Sequence, residues 1–308
     1  MITAGRGRLV ALAAVAVGAT VALAGCASGD PLDSGSGASD AGGDTLVVGS
    51  QDYYSNEIIA EIYAQALEAN GFTVERDFRI GQREVYIPEI EGGEIDVFPE
   101  YTGNLLQFYV PDTTATTADD VYAELEGALP EGLRVLDQSD ATDQDSYNVT
   151  KEFSETNGVT SLADLAKVTT PLTLGGNSEL ETRPYGPEGL KSVYGVEVGF
   201  TPIEDSGGPL TIKALQDGSV QLVNIYSANP AIATSELVTL ADPEGLFLAS
   251  NVVPVVSEKV DDAAAEVLNT VSAALTAADL VALNALSVDE QQSAEQIASD
   301  WLAEQGLF

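Results

Sequence analysis

From Thr45 onward, short apolar runs alternate with segments whose apolar residues recur at helical spacing. Leu46-Val47-Val48 ends in Gly49-Ser50, after which Ile58, Ile59, Ile62, Tyr63, Ala66 and Leu67 trace one helix that Gly71 stops. The pattern then predicts a strand over Phe72–Ile80, a helix over about Glu84–Glu91 and an apolar strand over Ile95–Phe98. Thr117, Ser161 and Ser287 are each followed three residues later by an acid, Asp120, Asp164 and Glu290, and read as helix starts. There the hydroxyl caps a free amide and the acid favours the positive end of the helix dipole. Such alternation predicts an α/β fold with mostly parallel strands covered by helices. Near the carboxyl end Val267, Val271, Leu275 and Leu280 keep helical spacing, and this tail is expected to pack back on the first half, with Trp301, the only tryptophan, as a packing anchor.

The pattern also repeats. Ile90-Glu-Gly-Gly93-Glu-Ile95-Asp96-Val97-Phe98-Pro-Glu-Tyr101 lines up with Leu215-Gln-Asp-Gly218-Ser-Val220-Gln221-Leu222-Val223-Asn-Ile-Tyr226 at an offset of 125 residues. Leu46-Val-Val-Gly49 and Leu172-Thr-Leu-Gly175 form a second pair at an offset of 126. Both echoes run apolar strand and glycine, so two similar α/β halves are implied. Ligands of open α/β sheets sit beyond the carboxyl ends of the strands. Tyr101 and Tyr226 fall just past such ends, one per half, and are expected to meet in a shared cleft.

Composition narrows the chemistry. With 12 Lys+Arg against 49 Asp+Glu, a formal charge of −37, the chain is ill suited to gripping nucleic acid phosphates. It has no histidine and one cysteine, Cys26, so a Ser-His-Asp relay, His-ligated zinc and an internal disulfide are all excluded. Residues 1–25 place Arg6 and Arg8 before an apolar run from Leu9 to Ala24, as in a secretory signal. Leu23-Ala24-Gly25-Cys26 resembles a bacterial lipobox, in which cleavage before the cysteine and acylation of its sulfur tether the mature chain to the extracytoplasmic face of the cell membrane. Residues 26–44, rich in Ser, Gly, Ala and Asp, are expected to form a flexible leash. The mature chain would keep ten basic residues against the same 49 acids, so an acidic surface leaves the anchoring to the lipid.

Gly49-Ser50-Gln51-Asp52-Tyr53, the stretch Gly92-Gly93-Glu94-Ile95-Asp96-Val97-Phe98-Pro99-Glu100-Tyr101-Thr102-Gly103, and Glu181-Thr-Arg183-Pro-Tyr-Gly-Pro-Glu-Gly189-Leu190 together resemble the osmoprotectant-type substrate-binding proteins of ABC importers. That resemblance implies a two-lobed periplasmic-binding-protein fold, two Rossmann-like lobes joined by two crossing strands. Lobe one would comprise residues 45–148 plus 254–308 and lobe two residues 149–253, with crossings near Asn148–Phe153 and Val252–Val256. It implies capture of glycine betaine, choline, carnitine or a related quaternary amine by a monomer that works with a permease and its ATPase, without cofactor, metal or catalysis. Tyr101 and Tyr226 match family cage tyrosines, and Arg183 matches the arginine that holds a ligand carboxylate. Gln51 replaces a common lysine, Asp145 and Asn251 stand where two further cage tyrosines are expected, and Asn104 stands where a threonine often helps bind carboxylate. With the cage incomplete, a different small amine, zwitterion or amino acid derivative is the alternative solute; Tyr53, Tyr54, Tyr147 and Tyr185 are the rings available to replace the missing ones.

A quaternary ammonium has no N–H to donate, so aromatic faces and carboxylates must recognise it. A ligand carboxylate needs fixed donors, and Ser206-Gly207-Gly208-Pro209 offers a helix amino terminus for one. An enzymatic alternative, a carboxylate-dependent hydrolase built on Asp96 and Glu100, puts the two groups about 13 Å apart along a strand, outside glycosidase geometry. Asp140-Ala-Thr-Asp143-Gln-Asp145 lacks the glycine and distal glutamate of a calcium loop, which leaves solvated acids at a lobe junction as its expected role.

Overall fold

The computed structural model describes residues 45–307, so the signal segment, Cys26 and the leash lie outside the described residues. The first part runs β1 (Leu46–Gly49), α1 (Tyr54–Ala69), β2 (Val74–Asp77), α2 (Arg83–Gly92), β3 (Val97–Tyr101), α3 (Thr102–Tyr109), α4 (Ala118–Ala128) and β4 (Leu133–Val135). The middle runs β5 (Asp145–Thr150), α5 (Lys151–Asn157), β6 (Leu172–Gly176), α6 (Pro187–Tyr194), β7 (Val198–Pro202), α7 (Pro209–Gln216), β8 (Leu222–Tyr226), α8 (Ala231–Thr234) and β9 (Leu237–Thr239). It also holds short 3-10 turns at Leu162–Lys167 and Ser178–Thr182. The chain closes with β10 (Val252–Ser257), α9 (Asp262–Ala274), α10 (Ala277–Val288) and α11 (Ala294–Gln305).

Two five-stranded mixed sheets result, ordered β2-β1-β3-β10-β4 and β7-β6-β8-β5-β9. In each, three parallel strands meet an antiparallel pair; in the first sheet the fourth strand, β10, comes from the closing part of the sequence, whereas the second sheet is built from one continuous stretch. The repeat is thus a structural one. Val48 pairs with Val97 as Leu174 pairs with Leu222, and Gly93 and Gly218, at φ of 81° and 72°, end the equivalent helices in the left-handed region where a side chain is strained.

Each first-sheet face is covered. On one side α1, α9, α10 and α11 bury Ile59, Ile62, Leu67, Leu268, Leu280 and Trp301; on the other, α2, α3 and α4 bury Tyr86, Ile90, Leu105 and Leu125. The tail therefore packs where the sequence places it.

Three expectations need correction. The boundaries drawn at 148/149 and 253/254 fall inside β5 and β10. β5 pairs with β8 from Asp145 onward and β10 with β3 from Val252, because each strand commits as a whole to one antiparallel ladder; the chain passes between sheets before these strands, not along them. Ser287 lies in the last turn of α10 rather than at a helix start. Thr276 caps α10 itself and Ser293 caps the following helix, α11, each accepting a backbone N–H. The strand expected over Phe72–Ile80 is shorter, Val74–Asp77, since only four residues find partners on β1.

Candidate functional site

Where the carboxyl ends of β1, β3, β6 and β8 face one another, a cavity lies between the two sheets. Tyr101 closes β3 and Tyr226 closes β8, and both rings line this hollow. So do Tyr53, from the turn entering α1, and Tyr185, from the loop before α6. The ring centroids of Tyr53 and Tyr226 are 4.9 Å apart, a contact between the lobes. Tyr54 packs edge-on against Tyr53, and buried Tyr147 donates its hydroxyl to the carbonyl of Tyr185; neither lines the cavity.

Strand register explains the placement of the acids. Asp145, first in β5, lies directly opposite Tyr226, so both project at the same end of the sheet. Its carboxylate accepts from the amides of Asn104 (2.6 Å) and Asn224 (2.9 Å). Asp143, two residues earlier, accepts from the Tyr53 hydroxyl (3.0 Å) and the Ala228 backbone N–H (2.9 Å). Burial raises both carboxyls above the ordinary range, Asp143 to about 6. Burial also pushes the phenols of Tyr53, Tyr101 and Tyr226 well above their usual value.

Two arginines reach the cavity and each already holds a carboxylate. Arg83, at the start of α2, grips Glu100 through two contacts of 2.9 and 2.8 Å, and Glu100 also accepts from the Tyr86 hydroxyl and the Tyr101 backbone N–H. Arg183 crosses the cleft to Glu84 of α2, 2.7 Å from one carboxylate oxygen, with a second contact of 3.1 Å to the other. Among the described residues the lining acids Asp143, Asp145 and Glu179 have no Lys or Arg within 4.0 Å. The hollow combines four phenol rings with unneutralised negative charge, a combination suited to a small cation.

Tyr101, Tyr226, Arg183, Asp145, Gln51 and Asn104 thus share one cavity, as the sequence places them. Asn251 does not line it. Its backbone bridges Thr142 and its amide donates to the Ser139 carbonyl, so it ties together the two passages between the sheets. Asn104 is spent inside the protein, its amide nitrogen serving Asp145 and the Tyr185 hydroxyl. The amino terminus of α7 is filled by Asp205, which accepts from the backbone N–H of Leu210 (2.6 Å) and the hydroxyl of Thr211. Asp96 and Glu100 make no acid/base pair. Asp96 is taken up by the Val47 backbone N–H, Ser257 and Lys259, and Glu100 by Arg83.

Sequence reasoning passed over Asn177, Asn224, Glu179, Gln82 and Arg83 as lining residues, and it expected Asp143 to be a solvated acid at a lobe junction, whereas it is buried. A signal for Asn177 was present: it sits 126 residues after Gln51, the offset of the second echo, at the matching strand end.

Residues 44–304 match the model of a family described as the substrate binding domain of ABC-type glycine betaine transport system. The chain is 28% identical over 274 residues to the glycine betaine-binding protein YehZ of Escherichia coli (strain K12), covering 84% of this chain and 90% of that one. It is 26% identical over 279 residues to a glycine-betaine-binding protein of Pseudomonas aeruginosa, covering 86% and 89%. Among solved structures, apo YehZ from Escherichia coli aligns with a TM-score of 0.63 at 27% identity over 86% of this chain and all of that one. A glycine betaine/carnitine/choline ABC transporter structure aligns with a TM-score of 0.69 at 17% identity over 85% and 99%, a likeness of fold.

Proposed function

Because the chain belongs to the substrate-binding domain family of ABC-type glycine betaine transport systems, we propose that it captures a small quaternary amine in the cavity between its sheets and delivers it to a membrane permease. The observation that carries this reading is the convergence of Tyr53, Tyr101, Tyr185 and Tyr226 on one hollow that also holds buried Asp143 and Asp145. A ring over a desolvated cation contributes about 2 kcal/mol. Four such rings match the roughly 8 kcal/mol of micromolar binding before the cost of closure is subtracted. The carboxylates add long-range attraction for a cation and are held by neutral donors that leave their charge intact.

Closure of the lobes over solute would present one shape to the permease, and the cross-cleft contacts of Asn104 and Arg183 are of the kind that favour a closed form. Anchoring is assigned to an acylated Cys26 on the extracytoplasmic face of a bacterial membrane, on the strength of the lipobox-like stretch before it. A panel of choline, glycine betaine, carnitine and unrelated amines tests the assignment by thermal shift, with solute consumption followed in parallel. Stabilisation by quaternary amines without turnover is expected. Turnover, or stabilisation by none of them, would refute it.

A further inference from the structure

Resting on the reading of this cavity as a quaternary-amine site, we propose that Glu84 is a specificity-determining residue, occupying Arg183 as an internal carboxylate and setting the site to prefer ligands of net positive charge over zwitterions. Arg183 is the natural anchor for a ligand carboxylate, yet its guanidinium is engaged by both oxygens of Glu84 from the opposite lobe. The arginine side chain is 13% exposed and the glutamate 52%, so the cation is committed inside the cleft while its partner reaches in from the rim. A solute with its own carboxylate must displace that partner; one without a carboxylate leaves it in place.

Three further observations point the same way. The amino terminus of α7, the donor set the sequence offers for a carboxylate, does not line the cavity and is filled by Asp205 of this chain. Asp143, Asp145 and Glu179 line the cavity without a basic partner, so a second negative group entering the hollow meets repulsion while a lone ammonium meets attraction. The buried amide nitrogen of Gln51 also lines the hollow and has no hydrogen-bond partner. It suits one oxygen on the solute, and a hydroxyl meets that need without bringing negative charge. These features together describe a quaternary amino alcohol better than a betaine.

Calorimetric titration of the intact mature chain with choline and with glycine betaine tests this, using the ratio of the two affinities so that any general effect on lobe closure cancels. The wild type should bind choline at least tenfold more tightly than glycine betaine. Glu84→Gln should shift the ratio of the two affinities tenfold or more toward glycine betaine. Adding Arg183→Ala to Glu84→Gln should abolish that shift, because the released guanidinium is what receives the ligand carboxylate. A wild type that prefers glycine betaine, or an unchanged ratio in Glu84→Gln, overturns the role of Glu84 while leaving the cavity assignment standing. Binding of neither solute to the wild type or to Glu84→Gln, with circular dichroism confirming that both are folded, overturns the cavity assignment and this inference with it.

Discussion

The two lobes use one plan for their sheets and different chemistry at the strand ends. At the base of the plan the match is close: the Val47 backbone N–H donates to Asp96 and that of Thr173 to Gln221, both at 3.0 Å, and these are equivalent positions of the repeat. The carbonyls of Val47 and Thr173 accept from the backbone N–H of the same two partners. At the cleft the match fails. Opposite Tyr226 stands Asp145, but opposite Tyr101 stands Val252. Just before each tyrosine, Glu100 is buried against Arg83 whereas Ile225 is buried in a small apolar cluster. The strand geometry and the two tyrosines are repeated while the charged groups beside them are not, so the lobes differ in charge on a symmetric frame.

The largest effect should come from breaking this asymmetry at Glu100. Glu100→Gln leaves the Arg83 guanidinium buried without a counter-charge, and removing one partner of a buried pair costs about 3–5 kcal/mol. The counterpart change, Ile225→Val, trims one methylene from a packed cluster and should cost about 0.5–1.5 kcal/mol. Denaturant unfolding of the two variants measures the contrast. Equal losses would mean that the buried ion pair has no special weight in lobe one.

Next in size is a pH effect tied to Asp143, whose lobe-one counterpart by strand register is the neutral Ser250. Burial raises its carboxyl to about 6 from the ordinary 3.8, so the folded protein holds this proton more tightly than the unfolded chain does. As pH falls from about 6 to 4 the folded state takes up the proton first, and the ligand-free protein gains up to about 3 kcal/mol from this group alone. The gain is lost again as pH rises through 6. Cation binding runs oppositely, because protonation removes a negative charge facing the solute. Since other acids titrate in this window, the difference between wild type and Asp143→Asn is the measurement. Relative to the variant, the wild type should show a rising midpoint and a falling choline affinity below pH 6. Parallel curves would remove Asp143 from both effects.

What was legible in the sequence was local or periodic. Ile58 to Leu67 declare α1 by spacing, Gly93 and Gly218 mark equivalent helix ends, and the echo brings Tyr101 and Tyr226 to one place. What was not legible depends on pairings distant in the chain. The passage points between sheets are decided by which partner strands β5 and β10 select, and nothing in Asp145-Ser-Tyr or Val252-Val-Pro encodes that choice. Glu84 and Arg183 meet across 99 positions, so a spacing rule sees only an acid on a helix and a base in an acidic loop. Ser287 satisfied a capping pattern that its own helix overrode, because α10 continues to Val288. Asp205 could have been read as a cap for α7, since an acid just ahead of Gly-Gly-Pro is well placed to accept from the first amides.

The smallest of these effects, and the one closest to function, concerns the two repeated tyrosines. Tyr101→Ala and Tyr226→Ala should each weaken choline binding at least tenfold, about 1.4 kcal/mol, the loss expected when one ring face leaves a desolvated cation. Tyr101→Phe and Tyr226→Phe keep the ring and should stay within threefold, even though the Tyr101 hydroxyl accepts from Asn56 at 3.4 Å. The comparison between lobes sharpens here. Tyr226 touches the Tyr53 ring and stands opposite Asp145, so its removal disturbs a second ring and uncovers a carboxylate. Tyr101, opposite Val252 and 5% exposed, leaves only its own face. Tyr226→Ala should therefore cost more than Tyr101→Ala in calorimetric titration. The reverse order would make lobe one, for all its apolar register, the principal holder of the cation.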